Sequence, residues 1–288
     1  MGDAMKQGHL FCFGYGLSAA TLGPLLLSEG WRVTGTVRSA EKAARLAAQG
    51  VTPMVWEAGA PLPADALDGV THILISILPD AGGDRVARAL GARIATLPGL
   101  EWVGYLSTTG VYGDRGGGWI DEDSDLAPVS ERGRQRLQAE RDWQGIPGLP
   151  LQIFRLAGIY GPGRNQLEKL RAGTARRVIK PGHLFCRIHV ADVAEVLRAS
   201  IRRPDPGRVY NLADDEPAPP QDVVSFAAEL LGVPPPPAEL LDEAGMSEKS
   251  RSFYGATKRV HNDRIKLELG VKLKYPSYRE GLRALKDA

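Results

Sequence analysis

Two glycines and an alanine in Gly14-Tyr15-Gly16-Leu17-Ser18-Ala19 carry the clearest chemical pattern of the chain. They directly follow an apolar run, His9 to Phe13. That order fits the G-x-G-x-x-G/A turn joining the first strand of a βαβ unit to its helix, where backbone amides receive a pyrophosphate. Gly14 permits the tight turn and Gly16 lets the backbone approach phosphate. Ala19 still allows close packing of helix on strand. The residues between them, Tyr15, Leu17 and Ser18, then line the cofactor. Glycine turns also end strands for purely structural reasons; the place on a first βαβ unit favours the nucleotide. The second strand ends in Thr36-Val37-Arg38-Ser39, with Arg38 lying 24 positions after Gly14. A carboxylate there would bind a ribose 2′-hydroxyl, whereas a basic group suits a 2′-phosphate. The residues therefore favour NADP(H) over NAD(H), with Arg38 and Ser39 on the phosphate. The competing reading makes Arg38 a solvated residue opening the next helix.

Composition narrows the partners. The chain is 43% hydrophobic and 24% charged, as in ordinary globular proteins. Its 36 basic and 34 acidic residues leave a net charge of +2, no basis for a general nucleic-acid surface or a polybasic membrane patch. Cys12 and Cys186 belong to no metal-ligand spacing, so no metal site is expected. Met-Gly-Asp-Ala-Met-Lys-Gln runs into a strand without the apolar stretch of a signal peptide, and no segment approaches the apolar length of a membrane span. A cytoplasmic protein is the expectation.

These residues need a scaffold, and the pattern supplies one. Apolar runs at His9–Phe13, Trp31–Val37, Val51–Trp56, His72–Ile77 and Trp102–Leu106 alternate with helical stretches centred near Leu25, Ala44 and Val86. Continuous apolar strands separated by helices imply a parallel sheet covered on both faces, a doubly wound α/β fold. A sixth strand is expected at Leu151–Leu156 and a further one at Arg208–Leu212, preceded by a helix over 191–201. The stretch Gly113–Asp125 reads as loop. The organisation read from this is a Rossmann domain over 8–162 plus 188–214 and a smaller C-terminal substrate lobe over 163–187 plus 215–288.

Five further segments complete a pattern. They are Ser107-Thr108-Thr109-Gly110-Val111-Tyr112-Gly113, Pro128-Val129-Ser130-Glu131-Arg132-Gly133-Arg134-Gln135-Arg136, Phe154-Arg155-Leu156-Ala157-Gly158-Ile159-Tyr160-Gly161-Pro162-Gly163-Arg164, Arg187-Ile188-His189-Val190-Ala191-Asp192, and Val209-Tyr210-Asn211-Leu212. With the glycine turn they run in one order over some two thirds of the chain. The sequence resembles the extended short-chain dehydrogenase/reductases, the NAD-dependent epimerase/dehydratase family. It departs from them at the active-site helix, where Arg132 stands at the family's tyrosine and Arg136 at its lysine. An arginine stays protonated, so Arg132 cannot take a proton from a hydroxyl.

The resemblance assigns further roles. Thr108 would hydrogen-bond the reacting oxygen, and Tyr112 is the nearest phenol to replace the missing acid. Arg136 would reach the nicotinamide ribose, and Arg132 would face an anionic group of the substrate. Ile77 and Leu78, after the fourth strand, would border the cofactor, and Ala157 and Ile159 would wall the nicotinamide. Arg164, Asn165 and Arg187 would meet substrate. His189 and Asp192 read as structural residues joining the lobes. Arg164, Lys169, Arg171, Arg176, Arg177, Lys180 and Arg187 make the substrate lobe locally basic, which fits a small anionic substrate such as a nucleotide sugar, or equally a solvated basic surface. The expected function is an NAD(P)-dependent oxidoreductase or sugar-nucleotide-modifying enzyme with a non-standard active site. The alternative is an inactive NADP(H)-binding sensor or scaffold, and an ordinary epimerase ranks last. A homodimer paired through a helix bundle is compatible with the resemblance.

Overall fold

A computed structural model describes residues 7–287. Seven strands, β1 (His9–Phe13), β2 (Arg32–Val37), β3 (Thr52–Val55), β4 (His72–Ile75), β5 (Trp102–Thr108), β6 (Leu151–Leu156) and β7 (Val209–Leu212), form one sheet ordered β7-β6-β5-β4-β1-β2-β3. The pairs β1 with β2, β2 with β3, β1 with β4 and β4 with β5 are parallel. The chain builds outward from β1 to β3, then returns to place β4 on the other side of β1. That reversal makes the carboxyl ends of β1 and β4 the topological switch point, where backbone diverges and a crevice opens. Helices α1 (Leu17–Ser28), α2 (Ala40–Ala47), α3 (Arg85–Ala95) and α4 (Glu131–Gln144) supply crossovers and cover. Every residue of β1, β4 and β6 is buried, which is why these strands read as unbroken apolar runs.

The described residues form two compact units, one of residues 7–107, 135–154 and 194–209, the other of 108–134, 155–193 and 210–287. In the first, Phe11, Phe13, Ile73, Ile75, Val103, Tyr105 and Trp143 share one apolar core. In the second, Tyr160, Leu167, Phe226, Tyr278 and Leu282 form another. The strand expectations hold to within two residues at each end. The units, however, change at residues 108, 135, 155, 194 and 210, not at 162. The Gly161-Pro162-Gly163 turn is a local device closed by mutual backbone bonds of Gly161 and Arg164, and its composition does not report where packing changes. The stretch expected as loop also holds a two-residue strand, Trp119–Ile120, parallel to Arg259–Val260. Two residues are too few to show a period.

A buried polar chain ties three elements of the first unit. Trp102 Nε1 on β5 donates to Ser200 Oγ at 2.9 Å, and Ser200 donates to Gln152 Oε1 on β6 at 2.6 Å. Ser200 and Gln152 are fully buried, so neither partner can turn to water. Ser200→Ala would strand the indole donor and the amide acceptor. We expect about 1–3 kcal/mol of lost stability, read as a lower denaturation midpoint at unchanged slope.

Candidate functional site

In the first unit, the turn after β1 is fixed by its backbone. Gly14 has φ +88°, a left-handed conformation that side chains disfavour, and a β-carbon there would press on Ile77 and Ser76. Its N–H donates to Thr36 Oγ1 at 2.7 Å, and its carbonyl accepts from Ser76 Oγ at 2.5 Å. Tyr15 N–H donates to the Thr36 carbonyl at 2.9 Å. Gly16 then caps α1 with no side-chain hydrogen bond, and nothing lies within 4 Å of where its β-carbon would stand. The start of α1 thus has no side-chain cap, and the space beside Gly16 is open. That geometry fits a pyrophosphate. Ser18 and Ala19 are buried, Leu17 half-buried, so the helix packs closely behind the turn.

Tyr15 packs inward. A β-carbon on Gly35 of β2 or on Gly23 of α1 would run into its ring or hydroxyl. Burial pushes the phenol above its usual range, and the hydroxyl has no partner among the described residues. Arg38 is exposed just past β2 and makes no ion pair among the described residues. Ser39 caps α2 by accepting from Lys42 N–H at 3.3 Å. Ile77 is half-buried and Leu78 is 52% exposed.

Arg136 lies deeper. It is 7% exposed, and its Nη1 donates to the Tyr105 hydroxyl at 3.1 Å and to the Leu106 carbonyl at 2.5 Å. Asp84 caps α3, accepting from Val86 and Ala87 N–H at 2.9 Å. Burial raises the Asp84 carboxyl, while those amides and the charge of Arg136 pull it back. Burial also raises the Tyr105 phenol, against the pull of Arg136. Glu140, one turn further on α4, accepts from Ser107 Oγ in the core. The guanidinium therefore braces β5 amid buried acids. Its Nε and Nη2 make no hydrogen bond among the described residues.

In the second unit, Thr108 opens the 3-10 turn Thr109–Tyr112, its Oγ1 accepting from Gly110 N–H at 3.1 Å. The hydroxyl proton goes to no described residue, and the side chain is half-buried. Gly133 is obligatory in the first turn of α4: a β-carbon would collide with Pro128 and the Gly110 carbonyl. Arg132, beside it, is exposed. Ala157 is buried and its N–H donates to the Leu212 carbonyl at 2.9 Å; Ile159 is half-buried in Gly158–Tyr160, which pairs with Arg187–His189. Arg164 is exposed on its turn. Asp192 accepts from Lys274 N–H at 2.7 Å and Tyr275 N–H at 3.1 Å, holding the C-terminal segment.

Three expected site residues have their polar atoms bonded within the fold. Tyr112 is 0% exposed; its hydroxyl donates to Asn211 Oδ1 at 2.8 Å and accepts from Arg155 Nη1 at 2.9 Å, and burial pushes the phenol up to about 12. A sealed phenol with both bonds spent is no acid for a substrate. Asn165 caps the helix Gln166–Arg171, accepting from Glu168 N–H at 3.0 Å and donating to the Gly161 carbonyl at 2.9 Å. Arg187 is buried, giving Nη1 to the carbonyls of Phe185 at 2.7 Å and Ala218 at 3.0 Å. Thr36, Ser76, Tyr105, Arg155 and Asn211 were not singled out as site residues, because their roles depend on partners distant in sequence. Thr36, Arg155 and Asn211 lie inside motifs quoted above, which assign them no site role. Among the described residues no group of His, Cys, Asp and Glu could hold a metal, and no helix is long and apolar enough to cross a membrane.

No model of a known protein family matches the chain. It is 55% identical to a solved protein of Silicibacter pomeroyi described as conserved and functionally unknown, covering 98% of this chain and 99% of that one with a TM-score of 0.93. It is 29% identical to Protein YeeZ of Escherichia coli strain K12 over 91% of this chain and 94% of that protein. It shares the fold of dTDP-glucose 4,6-dehydratase from Bacillus anthracis strain Ames, solved with NAD, at 16% identity and a TM-score of 0.79 over 98% of this chain and 96% of that one.

Two substitutions separate bracing from chemistry. Tyr112→Phe removes one partner each from Arg155 and Asn211, and we expect about 1–3 kcal/mol of lost stability with dinucleotide affinity unchanged, by denaturation and calorimetry. Arg136→Lys replaces a planar fork with a point charge. It is expected to cost a similar ~1–3 kcal/mol, with the Tyr105 and Leu106 contacts the part lost.

Proposed function

Starting from this chain's membership in the family of the Silicibacter pomeroyi protein, we propose that it binds NADP(H) and acts as an oxidoreductase on a small anionic carbonyl or alcohol. The observation that carries the reading is the open, uncapped start of α1 behind Gly16, set at the switch point of the sheet. The fold shared with a dehydratase solved with NAD supports a nicotinamide dinucleotide. The exposed Arg38 supports the 2′-phosphate form.

The bound cofactor supplies or accepts a hydride. Amides of Leu17 and Ser18 hold the pyrophosphate, Arg38 the 2′-phosphate, and Arg136 offers its remaining donors to a ribose hydroxyl. Thr108 donates its unspent hydroxyl proton as a hydrogen bond to the reacting oxygen. Arg132 holds an anionic group of the substrate and stays protonated throughout, so the proton accompanying reduction comes from solvent. A cytoplasmic setting, with its NADPH supply, suits this reading.

One observation favours the sensor. Of the four residues first named for catalysis, a guanidinium such as that of Arg132 or Arg136 offers no proton acceptor, and Tyr112 is buried with its hydroxyl bonded to Asn211. Sustained NADPH consumption with any of a panel of anionic aldehydes and ketones would exclude it.

Calorimetric titration with NADPH and NADH tests the cofactor. NADPH should bind more tightly, and Arg38→Asp should lower NADPH affinity about tenfold to a hundredfold while sparing NADH, as expected for a hydrogen bond to a charged group. Equal affinity of the native chain for both dinucleotides would refute the role of Arg38. Binding of neither would refute the function.

A further inference from the structure

At the opposite ends of β1 and β2 from Gly14 and Arg38, the first unit contains a cavity of about 250 Å³. Its lining includes His9, Arg32, Thr71, Gly8, Gly30 and Gly69, with Gln7 at its edge. The volume is below the ~300–1,000 Å³ of pockets for larger ligands, so only a small molecule fits. Among the described residues no Asp or Glu lines it. The charge it presents is the exposed Arg32 guanidinium, whose Nη2 donates to the Gly69 carbonyl at 3.5 Å.

His9 is 9% exposed, and its Nε2 sits 2.8 Å from Thr34 Oγ1. Its other ring nitrogen, Nδ1, is buried without a hydrogen-bond partner. A buried polar atom left unpaired costs about 1–3 kcal/mol, which a ligand can recover. Gly30 and Gly69 have φ +83° and +66°, and a β-carbon on Gly8 would strike Trp31, so these wall positions resist any side chain that would fill the space. Thr71 Oγ1 accepts from His9 N–H at 2.9 Å and lies 2.8 Å from His72 Nδ1, which fixes this wall.

We propose that this cavity is a small-oxyanion site, which takes a carboxylate or phosphate group between the Arg32 guanidinium and the His9 imidazole. A planar guanidinium donates two parallel bonds to such a group, and a protonated Nδ1 supplies a third donor. The five residues of β1 put this site roughly 17 Å from the glycine turn, at about 3.3 Å per residue. It is therefore distinct from the dinucleotide site and does not depend on the proposed reaction.

The test is nuclear magnetic resonance of the His9 imidazole during titration with inorganic phosphate and, separately, acetate, each against sodium chloride at matched ionic strength. A saturating His9 shift with either anion supports the site, and the anion that saturates identifies the head group. Arg32→Gln, a change at an exposed position, should weaken that binding about tenfold or more, with the unfolding midpoint reporting that the fold is intact. A shift that is linear and matched by chloride, or saturation unaltered in Arg32→Gln, overturns the proposal. NADPH titration of the same variant should match the native chain, so failure here and failure of the cofactor reading are told apart.

Discussion

The left-handed turn at Gly14 is the constraint on which the first unit depends. It is pinned from both neighbours of β1: Thr36 of β2 takes its N–H, and Ser76, just past β4, binds its carbonyl. Those strands flank β1 only because the sheet reverses direction there. With both backbone groups of Gly14 satisfied by side chains, the chain can turn without a partner from its own helix. The α1 amides are thereby left for a ligand. A shift of either neighbouring strand would move the turn.

Arg132 and Arg136 have opposite environments, and the difference comes from helix geometry. They sit one turn apart on α4, yet Arg132 is exposed and Arg136 is buried. A permanently charged side chain is tolerated in a core only where acceptors and counter-charges surround it. Arg136 has the Leu106 carbonyl and Tyr105 hydroxyl as acceptors, with Asp84 close enough to be pulled down by its charge. A lysine there would present one compact head group to partners that a fork serves separately.

The fold was legible because its signals are local and repeated. Fully buried parallel strands read as apolar runs, and the glycine turn has fixed spacing. Site roles were less legible, since they depend on what a side chain meets across the fold. Nothing near Tyr112 in sequence indicates that Asn211 and Arg155 occupy its hydroxyl. Arg187 reads as surface charge but is a buried strut, and Asn165 reads as a ligand but spends its amide on a cap. Tyr15 lies inside a recognised motif, yet its demand for glycine at positions 23 and 35 appears only once α1 and β2 are packed.

The proposed reaction is limited by the side chains named for it, which include no exposed titrating acid. General acid/base catalysis typically contributes ~10²–10⁴-fold, whereas positioning of two reactants can contribute ~7–11 kcal/mol. The proposed use of a hydroxyl at Thr108 and a fixed cation at Arg132 would keep the second contribution and lack the first. It favours acceptors whose oxygen gains little basicity as hydride arrives, or whose own anionic group binds the cation. Alcohol oxidation is penalised more heavily, because a proton must leave the hydroxyl and neither residue accepts one near neutrality. Reduction is the direction this geometry supports.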